Sequence, residues 1–386
     1  MIHSIESKII WHGRQQGVTW FHPRACTTPS NHGTSVLMTC QSIGGSDVFG
    51  QVHWSISSDL GQTWSNPEPL PGLGRCSLPD GIEEGVCDVV PEYHPQTNTV
   101  LAVGHNVYYK GNVLARPSEG RYTVYVVRDS AGQWSERRML QWDHPDINGI
   151  YTAGCAQRIT LPDGDLLVPL SYTSTERTDR AVTTVRCGFD GQTLTVKDAG
   201  NELRLPVGRG LLEPSLVHLD GRYYMTLRAE DGHGYVSVSS DGLAWNDPLP
   251  WCWEDGESLT MSTTQQRWLV HSKGLYLVYT RQAESNINVM RWRAPLYVAQ
   301  VNRPTLRLLR ETEQVAVPMR GDGIADPDNV ARMGNFHTVN VSAKESWVTV
   351  GETLPAQGWH GDTILARIRW SAPNRLTCTE HLIPER

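Results

Sequence analysis

The sequence predicts an all-β protein, and three observations support this prediction. The 386 residues include 35 glycines, 23 prolines and 14 tryptophans but only 19% charged residues, a composition that favours turns over long helices. Short runs rich in Val, Tyr, Trp, Thr and Leu recur along the chain, each bounded by Gly, Pro, Asp or Asn, as expected of strands. No window keeps a 3.6-residue apolar period over three turns. Because no linker-like stretch divides the chain, residues 1–386 are expected to form a single domain.

A recurring hairpin indicates how the strands are organised. Four segments each end a strand in an Asp-Gly turn that leads to Trp or Leu: 55–65, 126–135, 185–195 and 237–247. The turn aspartates lie 70, 61 and 51 positions apart: Asp59, Asp129, Asp190 and Asp241. An interval of roughly 60 residues suits a four-stranded propeller blade. The sequence therefore predicts a β-propeller of about six blades, with seven shorter blades as the alternative.

Charge and hydropathy limit the functions that fit this chain. The formal net charge of −7 argues against a nucleic-acid or anionic-membrane partner, because both require a basic surface. The first residues lack the pattern of a secretory signal, and no apolar run approaches 18 residues. We therefore expect a soluble protein, cytoplasmic or secreted with its signal already removed. No motif indicates an oligomeric state.

The sequence offers no evident metal or cofactor site. The eight cysteines contain no CxxC pair, and the 14 histidines contain no HxH or HExxH spacing. Single cysteines in strand-like segments are most often small buried apolar groups. We expect neither a metal nor a cofactor.

The turn SSDLGQTW combines several residue types that stabilise a hairpin. Asp59 can accept hydrogen bonds from backbone N–H groups, Gly61 can adopt a positive φ, and Trp64 can pack between sheets. These positions, with Ser57 and Thr63, match the Asp-box S-x-D-x-G-x-T-W, so the chain resembles the sialidase (neuraminidase, BNR-repeat) superfamily. The resemblance implies a propeller fold and, for the Asp-box itself, a structural role.

A second match is with the central sialidase segment. In LLEPSLVHLDGRYYMTLRAEDG (211–232), a Glu opens one strand and an Arg closes the next across a D-G-R turn. By this resemblance Glu213 would polarise the nucleophile, and Arg228 would be one of three arginines that bind the substrate carboxylate.

Further site residues follow from position along the chain. The resemblance implies Arg24 as the first arginine, Arg293 as the third, with Arg291 close by, and Asp47 as the acid. The sialidase tyrosine nucleophile is expected near GNFHTVNVSAKESWVTVGE, where this chain has Phe336 and His337 instead. His337 is therefore a candidate substrate-binding residue, and the nucleophile has no evident counterpart.

The residue types independently suggest an acidic ligand. Arginines from separate blades that converge on one pocket would repel one another unless an anion lay between them. A planar guanidinium matches a carboxylate, so an acidic sugar is the natural ligand.

A second set of residues supports a different reaction. His105, Tyr151 and Arg158 stand near predicted strand ends, and their segments resemble propeller-type polysaccharide lyases that act on uronate sugars. Such lyases place a His and a Tyr around the C5 proton while an Arg neutralises the carboxylate.

Three functional hypotheses follow from these residues. The first is an exo-acting, sialidase-like glycoside hydrolase for an acidic oligosaccharide or glycoconjugate, with Asp47 as acid and Glu213 as base or base partner. The second is a uronate lyase that uses His105 and Tyr151. The third is a non-catalytic glycan-binding propeller.

Overall fold

The computed structural model describes residues 1–30, 33–115, 120–144, 147, 149–173 and 176–376. Its strands, numbered in chain order, are β1 (Ile2–Trp11), β2 (Trp20–Ser30), β3 (Gly33–Gly45), β4 (Val48–Ser57), β5 (Glu68–Pro69), β6 (Cys76–Ser77), β7 (Ile82–His94), β8 (Thr99–Lys110), β9 (Val113–Ala115), β10 (Arg121–Arg128), β11 (Arg138–Met139), β12 (Ile150–Thr152), β13 (Ile159–Thr160), β14 (Leu166–Thr173), β15 (Ala181–Phe189), β16 (Leu194–Ala199), β17 (Leu212–Leu219), β18 (Arg222–Arg228), β19 (Gly234–Ser239), β20 (Leu249–Pro250), β21 (Arg267–His271), β22 (Gly274–Tyr279), β23 (Leu296–Asn302), β24 (Arg307–Leu308), β25 (Gln314–Val317), β26 (Phe336–Ser342), β27 (Glu345–Gly351) and β28 (Thr363–Trp370).

Helices are few and short in the described ranges. One α-helix, α1 (Gly13–Gln16), follows β1. The 3₁₀ helices are Pro79–Gly81, Glu284–Asn286, Met290–Trp292, Arg310–Thr312, Pro327–Asn329 and Pro355–Gln357. None of the helices described here has the length and apolar character needed to cross a bilayer.

The described strands form five hydrogen-bonded sheets. Four of them have four or five strands: β1-β28-β27-β26, β2-β3-β4-β5, β17-β18-β19-β20, and β21-β22-β23-β24 with β25 beside β23. The fifth has eleven strands along the path β16-β15-β14-β12-β10-β8-β7-β6, with β9, β11 and β13 at its sides. Within it, β12 pairs in parallel with β10 over two residue pairs and antiparallel with β14.

The sheets are arranged around a common axis. Inner strands contact their neighbours in turn: β26 contacts β2, β2 contacts β7, β14 contacts β17, β17 contacts β21, and β21 contacts β26. Strand β1 pairs antiparallel with β28, so one sheet is built from both ends of the described chain and the ring is closed. The prediction of an all-β propeller is confirmed.

Apolar side chains fill the spaces between adjacent sheets. One cluster joins Val298 of β23 with Val348 of β27 and Ala366 of β28, all with no exposed surface. Burial of aliphatic side chains on both faces of a strand is expected where sheets pack face to face, and it holds the blades in fixed positions around the pocket.

The hairpin turn SSDLGQTW stabilises its blade as the sequence predicts. Asp59 accepts hydrogen bonds from the Thr63 amide at 2.9 Å and from the Thr63 hydroxyl at 2.6 Å, and Ser57 donates to it at 2.8 Å. Gly61 has a φ of 75°. The Trp64 ring lies 6.2 Å from that of Trp347 in the neighbouring sheet. These contacts are structural, and Asp59 does not line the pocket described below.

Candidate active site

Charged side chains from several sheets line a cavity of about 170 Å³. Six arginines line it: Arg121, Arg180, Arg209, Arg228, Arg291 and Arg293. Three carboxylates line it as well: Asp47, Asp88 and Glu213. Two histidines, His22 and His105, and two cysteines, Cys87 and Cys155, also line it, together with the polar residues Thr152, Ser171 and Asn335. The cavity is therefore rich in cations.

Strand ends and irregular backbone turn these side chains toward the cavity. Glu213 lies in β17, where the pairing with β18 shifts between Leu212 and Ser215, and its φ is 45°. Arg228 is the last residue of β18. Asp47 is exposed, has a φ of 57° and lies in the turn between β3 and β4. Positive φ values at non-glycine residues are uncommon in proteins as a whole, and the residues that have them are concentrated at functional sites.

Glu213 and Arg228 form an ion pair in the cavity wall. Arg228 Nη1 donates to Glu213 Oε1 at 2.5 Å, and Arg228 Nε donates to Thr263 Oγ1 at 3.1 Å. The second carboxylate oxygen, Glu213 Oε2, is buried and has no hydrogen-bond partner among the described residues. One oxygen is therefore fixed, and the other is available to a ligand or a water molecule.

Arg291 and Arg293 face the cavity without a carboxylate partner in the described chain. Arg291 Nε and Nη2 and Arg293 Nε are buried and donate to no acceptor there. Burial, followed by the nearby arginines, lowers the pKa of Arg291 to about 10 and that of Arg293 to about 9, so both stay charged at neutral pH. A Cβ at Gly334 would lie 2.8 Å from Arg293 Cζ, which explains a glycine at this position.

The other three arginines occupy a different part of the wall. Arg209 is neutralised by Glu230, whose Oε1 lies 2.8 Å from Arg209 Nε. Arg121 donates from Nε to the Asn106 carbonyl at 3.3 Å and has no ion pair with a described residue. Burial and then the charge of Arg121 lower the pKa of Arg180 to about 9, and Arg180 also has no ion pair in the described ranges.

Asp88 lies deeper and is held by cations. Arg24 Nη2 donates to Asp88 Oδ1 at 2.5 Å, and His22 Nε2 lies 3.6 Å from the same oxygen. Burial alone would raise the pKa of Asp88, but His22, Arg24, His105 and Arg121 hold it well below its usual range. The Asp88 carboxylate at the bottom of the cavity is therefore ionised at neutral pH.

The two histidines near Asp88 are buried and neutral. Burial lowers the pKa of His22 to about 4 and that of His105 to about 3. His105 Nε2 contacts Cys87 Sγ at 3.3 Å, whereas its Nδ1 has no partner among the described residues. Such low pKa values make both imidazoles weak bases at neutral pH.

The donor atoms of Cys87, Asp88 and His105 lie within 4.8 Å of one another, a set that could hold a metal ion such as zinc. Arg24 already occupies one Asp88 oxygen, and the surrounding guanidinium groups oppose the approach of a cation.

Five of the sequence-predicted site residues line the cavity, and four lie elsewhere. Asp47, His105, Glu213, Arg228 and Arg293 line it. The other four are Arg24, Tyr151, Arg158 and His337, and each makes contacts with protein groups outside the cavity lining. Arg24 lies beneath Asp88 with no exposed surface. The Tyr151 hydroxyl donates to the Leu140 carbonyl at 2.8 Å in an apolar core.

Arg158 and His337 have structural contacts. Arg158 Nη1 donates to the Val90 carbonyl at 3.1 Å, and its Nε lies 3.3 Å from a Glu92 oxygen. His337 Nε2 lies 3.0 Å from the Ala25 carbonyl oxygen. The predicted substrate-binding roles of Arg24, Arg158 and His337, and the predicted catalytic role of Tyr151, therefore do not fit the positions of these side chains.

The segment expected to carry a tyrosine presents an asparagine to the cavity. Asn335 lines the cavity, whereas Phe336, the first residue of β26, is fully buried in an apolar core. No tyrosine lines the cavity in the described parts of the chain.

Sequence reasoning missed several cavity residues. The missed side chains are His22, Cys87, Asp88, Arg121, Cys155, Arg180, Arg209 and Asn335. Arg121, Arg180 and Arg209 each follow Gly or Asp at or just before the beginning of a strand or bridge, as Arg222 also does outside the cavity. The pattern alone cannot separate them from surface arginines.

Residues 90–316, more than half of the chain, match the family described as BNR repeat-like domain. The chain therefore belongs to this family, and its fold is a β-propeller. No curated protein sequence gives a significant match.

Solved structures with the same fold are distant in sequence. A Hadza microbial sialidase superposes with a TM-score of 0.67 at 15% identity, covering 95% of this chain and 69% of that one. A protein of unknown function from Dyadobacter fermentans gives 0.65 at 14% identity, covering 95% and 100%. Trypanosoma rangeli sialidase gives 0.63 at 14% identity, covering 91% of this chain and 55% of that one. At these identities the similarity establishes the fold alone.

Proposed function

We propose that the protein is a carbohydrate-active enzyme that binds an acidic oligosaccharide or glycoconjugate and hydrolyses a terminal glycosidic bond. One observation carries the proposal: guanidinium groups without a carboxylate partner in the described ranges face the same small cavity as Glu213, one of whose oxygens has no hydrogen-bond partner there. Unpaired buried cations are costly, and a ligand anion removes the cost. The distant sialidases among its structural relatives agree with this class of enzyme.

Arg228, Arg291 and Arg293 are the proposed carboxylate-binding residues. Arg228 is fixed by Glu213 and Thr263 and keeps one Nη group for a ligand. Arg291 and Arg293 have free N–H groups in the same cavity. Planar guanidinium groups bind a carboxylate through paired, charge-assisted hydrogen bonds, which orient the sugar as well as attract it.

The two carboxylates nearest these arginines supply the proton chemistry. In the proposed reaction Asp47 donates a proton to the leaving oxygen as the glycosidic C–O bond breaks. The oxygen of a water molecule bonds to the anomeric carbon, and its proton passes to Glu213 Oε2. Hydrolysis with two carboxylates requires no tyrosine, which agrees with Asn335 at the cavity wall.

Elimination is the second candidate reaction, and one observation favours it. His105 lines the cavity, and its Nδ1 is free within the described chain. Two observations weigh against it as a base at C5 of a uronate: its pKa is lowered to about 3, and the Tyr151 hydroxyl is bonded inside the core.

One assay series tests these proposals. Aryl sialosides and aryl glucuronides report hydrolysis as released aryl alcohol, and uronate polysaccharides report elimination as absorbance of a conjugated double bond. We expect aryl alcohol release that Arg293→Gln reduces by about 100-fold or more. Arg369→Gln is the matched control, because it removes the same charge from an exposed position on β28.

The other outcomes of the series separate the alternatives. Double-bond absorbance that His105→Ala abolishes would replace the hydrolase by a lyase. Binding of acidic glycans without either reaction would make the protein a non-catalytic binding module. Turnover unaffected by Arg293→Gln would remove Arg293 from the proposed carboxylate site.

We also propose that the ring is one domain of six blades. The eleven-stranded sheet contains two antiparallel meanders, β7-β8-β10 and β14-β15-β16, and β12 links them through only two residue pairs with β10. Separating the sheet at this link leaves six sheets, which agrees with the roughly 60-residue repeat. A seventh sheet in an experimentally determined structure would contradict this count.

A further inference from the structure

The arginines of the cavity that lack a carboxylate partner among the described residues fall into two groups according to the sheets that carry them. The charges that act on Arg293 come from Arg291, Arg228, Glu213 and Asp47. Arg121 opens β10 and Arg180 directly precedes β15, both in the eleven-stranded sheet, whereas Arg291 and Arg293 lie between β22 and β23 of another sheet. The charges that act on Arg180 come first from Arg121 and then from Arg209, Glu213 and Arg228. The pair Arg121 and Arg180 also acts on His105, at the deeper part of the cavity. We call the group with Arg291 and Arg293 the first subsite and the pair Arg121 and Arg180 the second subsite.

When each arginine of the cavity is matched with its carboxylate partner, both subsites keep an excess of positive charge. Three arginines at or beneath the cavity have carboxylate partners within 2.5 Å: Arg24 with Asp88, Arg209 with Glu230, and Arg228 with Glu213. The four arginines of the two subsites have no such partner among the described residues. Asp47, in the turn between β3 and β4, is the third carboxylate of the cavity wall and has no ion pair with a residue that the structure describes. A ligand with one negative charge would neutralise only part of this excess.

Hydrogen bonds hold the backbone of the second subsite and one side-chain nitrogen of Arg121. Arg121 opens β10, where its Nε donates to the Asn106 carbonyl and the following amide, that of Tyr122, donates to Asn106 Oδ1 at 2.7 Å. The Arg180 backbone is held by Arg209 and Leu211, through hydrogen bonds of 2.8 and 3.1 Å. Two guanidinium groups held near each other with no anion between them repel, and a bound anion would convert this repulsion into binding energy.

We propose that Arg121 and Arg180 form a second anion subsite, so that the substrate carries two anionic groups. This inference rests on the proposed function and specifies its substrate: the acidic sugar has, besides the carboxylate held at the first subsite, a sulfate ester or a second carboxylate. A carboxylate has two coplanar oxygens, and a sulfate ester has three terminal oxygens. Two oxygens of either group can accept paired hydrogen bonds from one arginine.

Calorimetric titration with matched sugars tests the second subsite. The singly charged probes are glucuronate and N-acetylneuraminate. The doubly charged probes are glucuronate 2-sulfate, which adds a sulfate ester, and α2,8-linked disialic acid, which adds a carboxylate. In the wild-type protein we expect at least one doubly charged probe to bind about tenfold or more tighter than its singly charged counterpart, as charge-assisted hydrogen bonds imply. The probe that gains affinity identifies the source of the second charge.

Arg180→Gln separates the second subsite from the first. In this variant we expect the ratio between doubly and singly charged probes to fall to about one, while singly charged probes keep their affinity. Arg369→Gln, which removes the same charge outside the cavity, should keep the wild-type ratio. Unfolding midpoints of the variants confirm that each is folded.

Two other results would overturn the inference, and they differ in meaning. If the ratio of affinities for doubly and singly charged probes is the same in the wild type and in Arg180→Gln, the second subsite does not exist. The proposed function would not be contradicted by that result. A wild-type protein that binds none of the four probes would contradict the proposed function together with the second subsite.

Discussion

The ion pair between Arg24 and Asp88 yields a prediction for protein stability and its dependence on pH. Arg24 has no exposed surface, and Asp88, whose side chain is 18% exposed, lies at the bottom of the cavity. Arg24→Met keeps most of the side-chain volume but leaves the carboxylate without this cation. Removing one partner of a buried ion pair costs about 3–5 kcal/mol, because the remaining charge is desolvated and unpaired. We expect a loss of this size in the free energy of unfolding at pH 7.5.

The loss should shrink as the pH falls. In the wild type the folded-state pKa of Asp88 is depressed, so this carboxylate stabilises the fold above its unfolded pKa of about 4, and the contribution is lost as the pH falls through the folded value. Without Arg24 the pKa of Asp88 rises, and the variant takes up a proton at a pH where the wild type does not. The pKa of His22, which Arg24 also lowers, shifts in the same direction.

Urea denaturation at pH 7.5 and pH 4.5 measures both effects. The difference in unfolding free energy between wild type and Arg24→Met should be smaller at pH 4.5 by about 1 kcal/mol or more, the equivalent of roughly one pKa unit. The double variant Arg24→Met/Asp88→Asn should recover much of the loss at pH 7.5, since neither charge remains. A pH-independent difference, or a double variant as unstable as the sum of its parts, would refute the reasoning.

Three further predictions concern the acid, the core and the Asp-box. Asp47→Asn should slow hydrolysis of glycosides with poor leaving groups by about 100-fold or more and affect activated aryl glycosides much less, as measured by kcat; equal losses would exclude Asp47 as the general acid. Phe336→Ala should lower the unfolding free energy by about 3–5 kcal/mol in urea titrations, because Phe336 is fully buried; a loss below about 1 kcal/mol would contradict its place in the core. Asp59→Ala should lower the thermal midpoint with kcat/KM unchanged, since its bonds to Thr63 are structural; a large kinetic defect in a folded variant would contradict this role.

Local sequence patterns predicted the fold well because the Asp-box acts locally. The turn from Ser57 to Trp64 is held by hydrogen bonds between residues two to four positions apart, so its residue types are sufficient to recognise it. The closure of the ring depends instead on the pairing of β1 with β28, across most of the chain. No short motif specifies a contact of that separation.

The first arginine position shows why parts of the site could not be read from sequence. Regular alternation in β2 would turn His22 and Arg24 to the same face. The pairing with β3 shifts between Phe21 and Arg24, and His22 has a φ of 51°, so His22 faces the cavity while Arg24 lies beneath Asp88. The irregular strand therefore changes which of two neighbouring cations can reach a ligand.

Tyr151 illustrates a second reason. A tyrosine near a strand end can face either an apolar core or a ligand, and the residue type is the same in both cases. Tyr151 packs against Trp142 and donates to the Leu140 carbonyl, and these contacts place its ring in the apolar core. They exist only once β12 is folded. Glu213 and Arg228 were easier to predict, because one hairpin carries both.

The pairing of β1 with β28 has a consequence for the order of events during synthesis. Ile5 pairs with Ile368 and Lys8 with Leu365, so β1 leaves the ribosome more than 300 residues before the strand that completes its blade. Until then, one edge of β1 has no partner and its apolar face is uncovered, as in other unpaired strand edges. A nascent chain stalled before Thr363 should therefore stay sensitive to protease in β1, and a chain extended beyond β28 should protect that strand together with the cavity that the closed ring encloses.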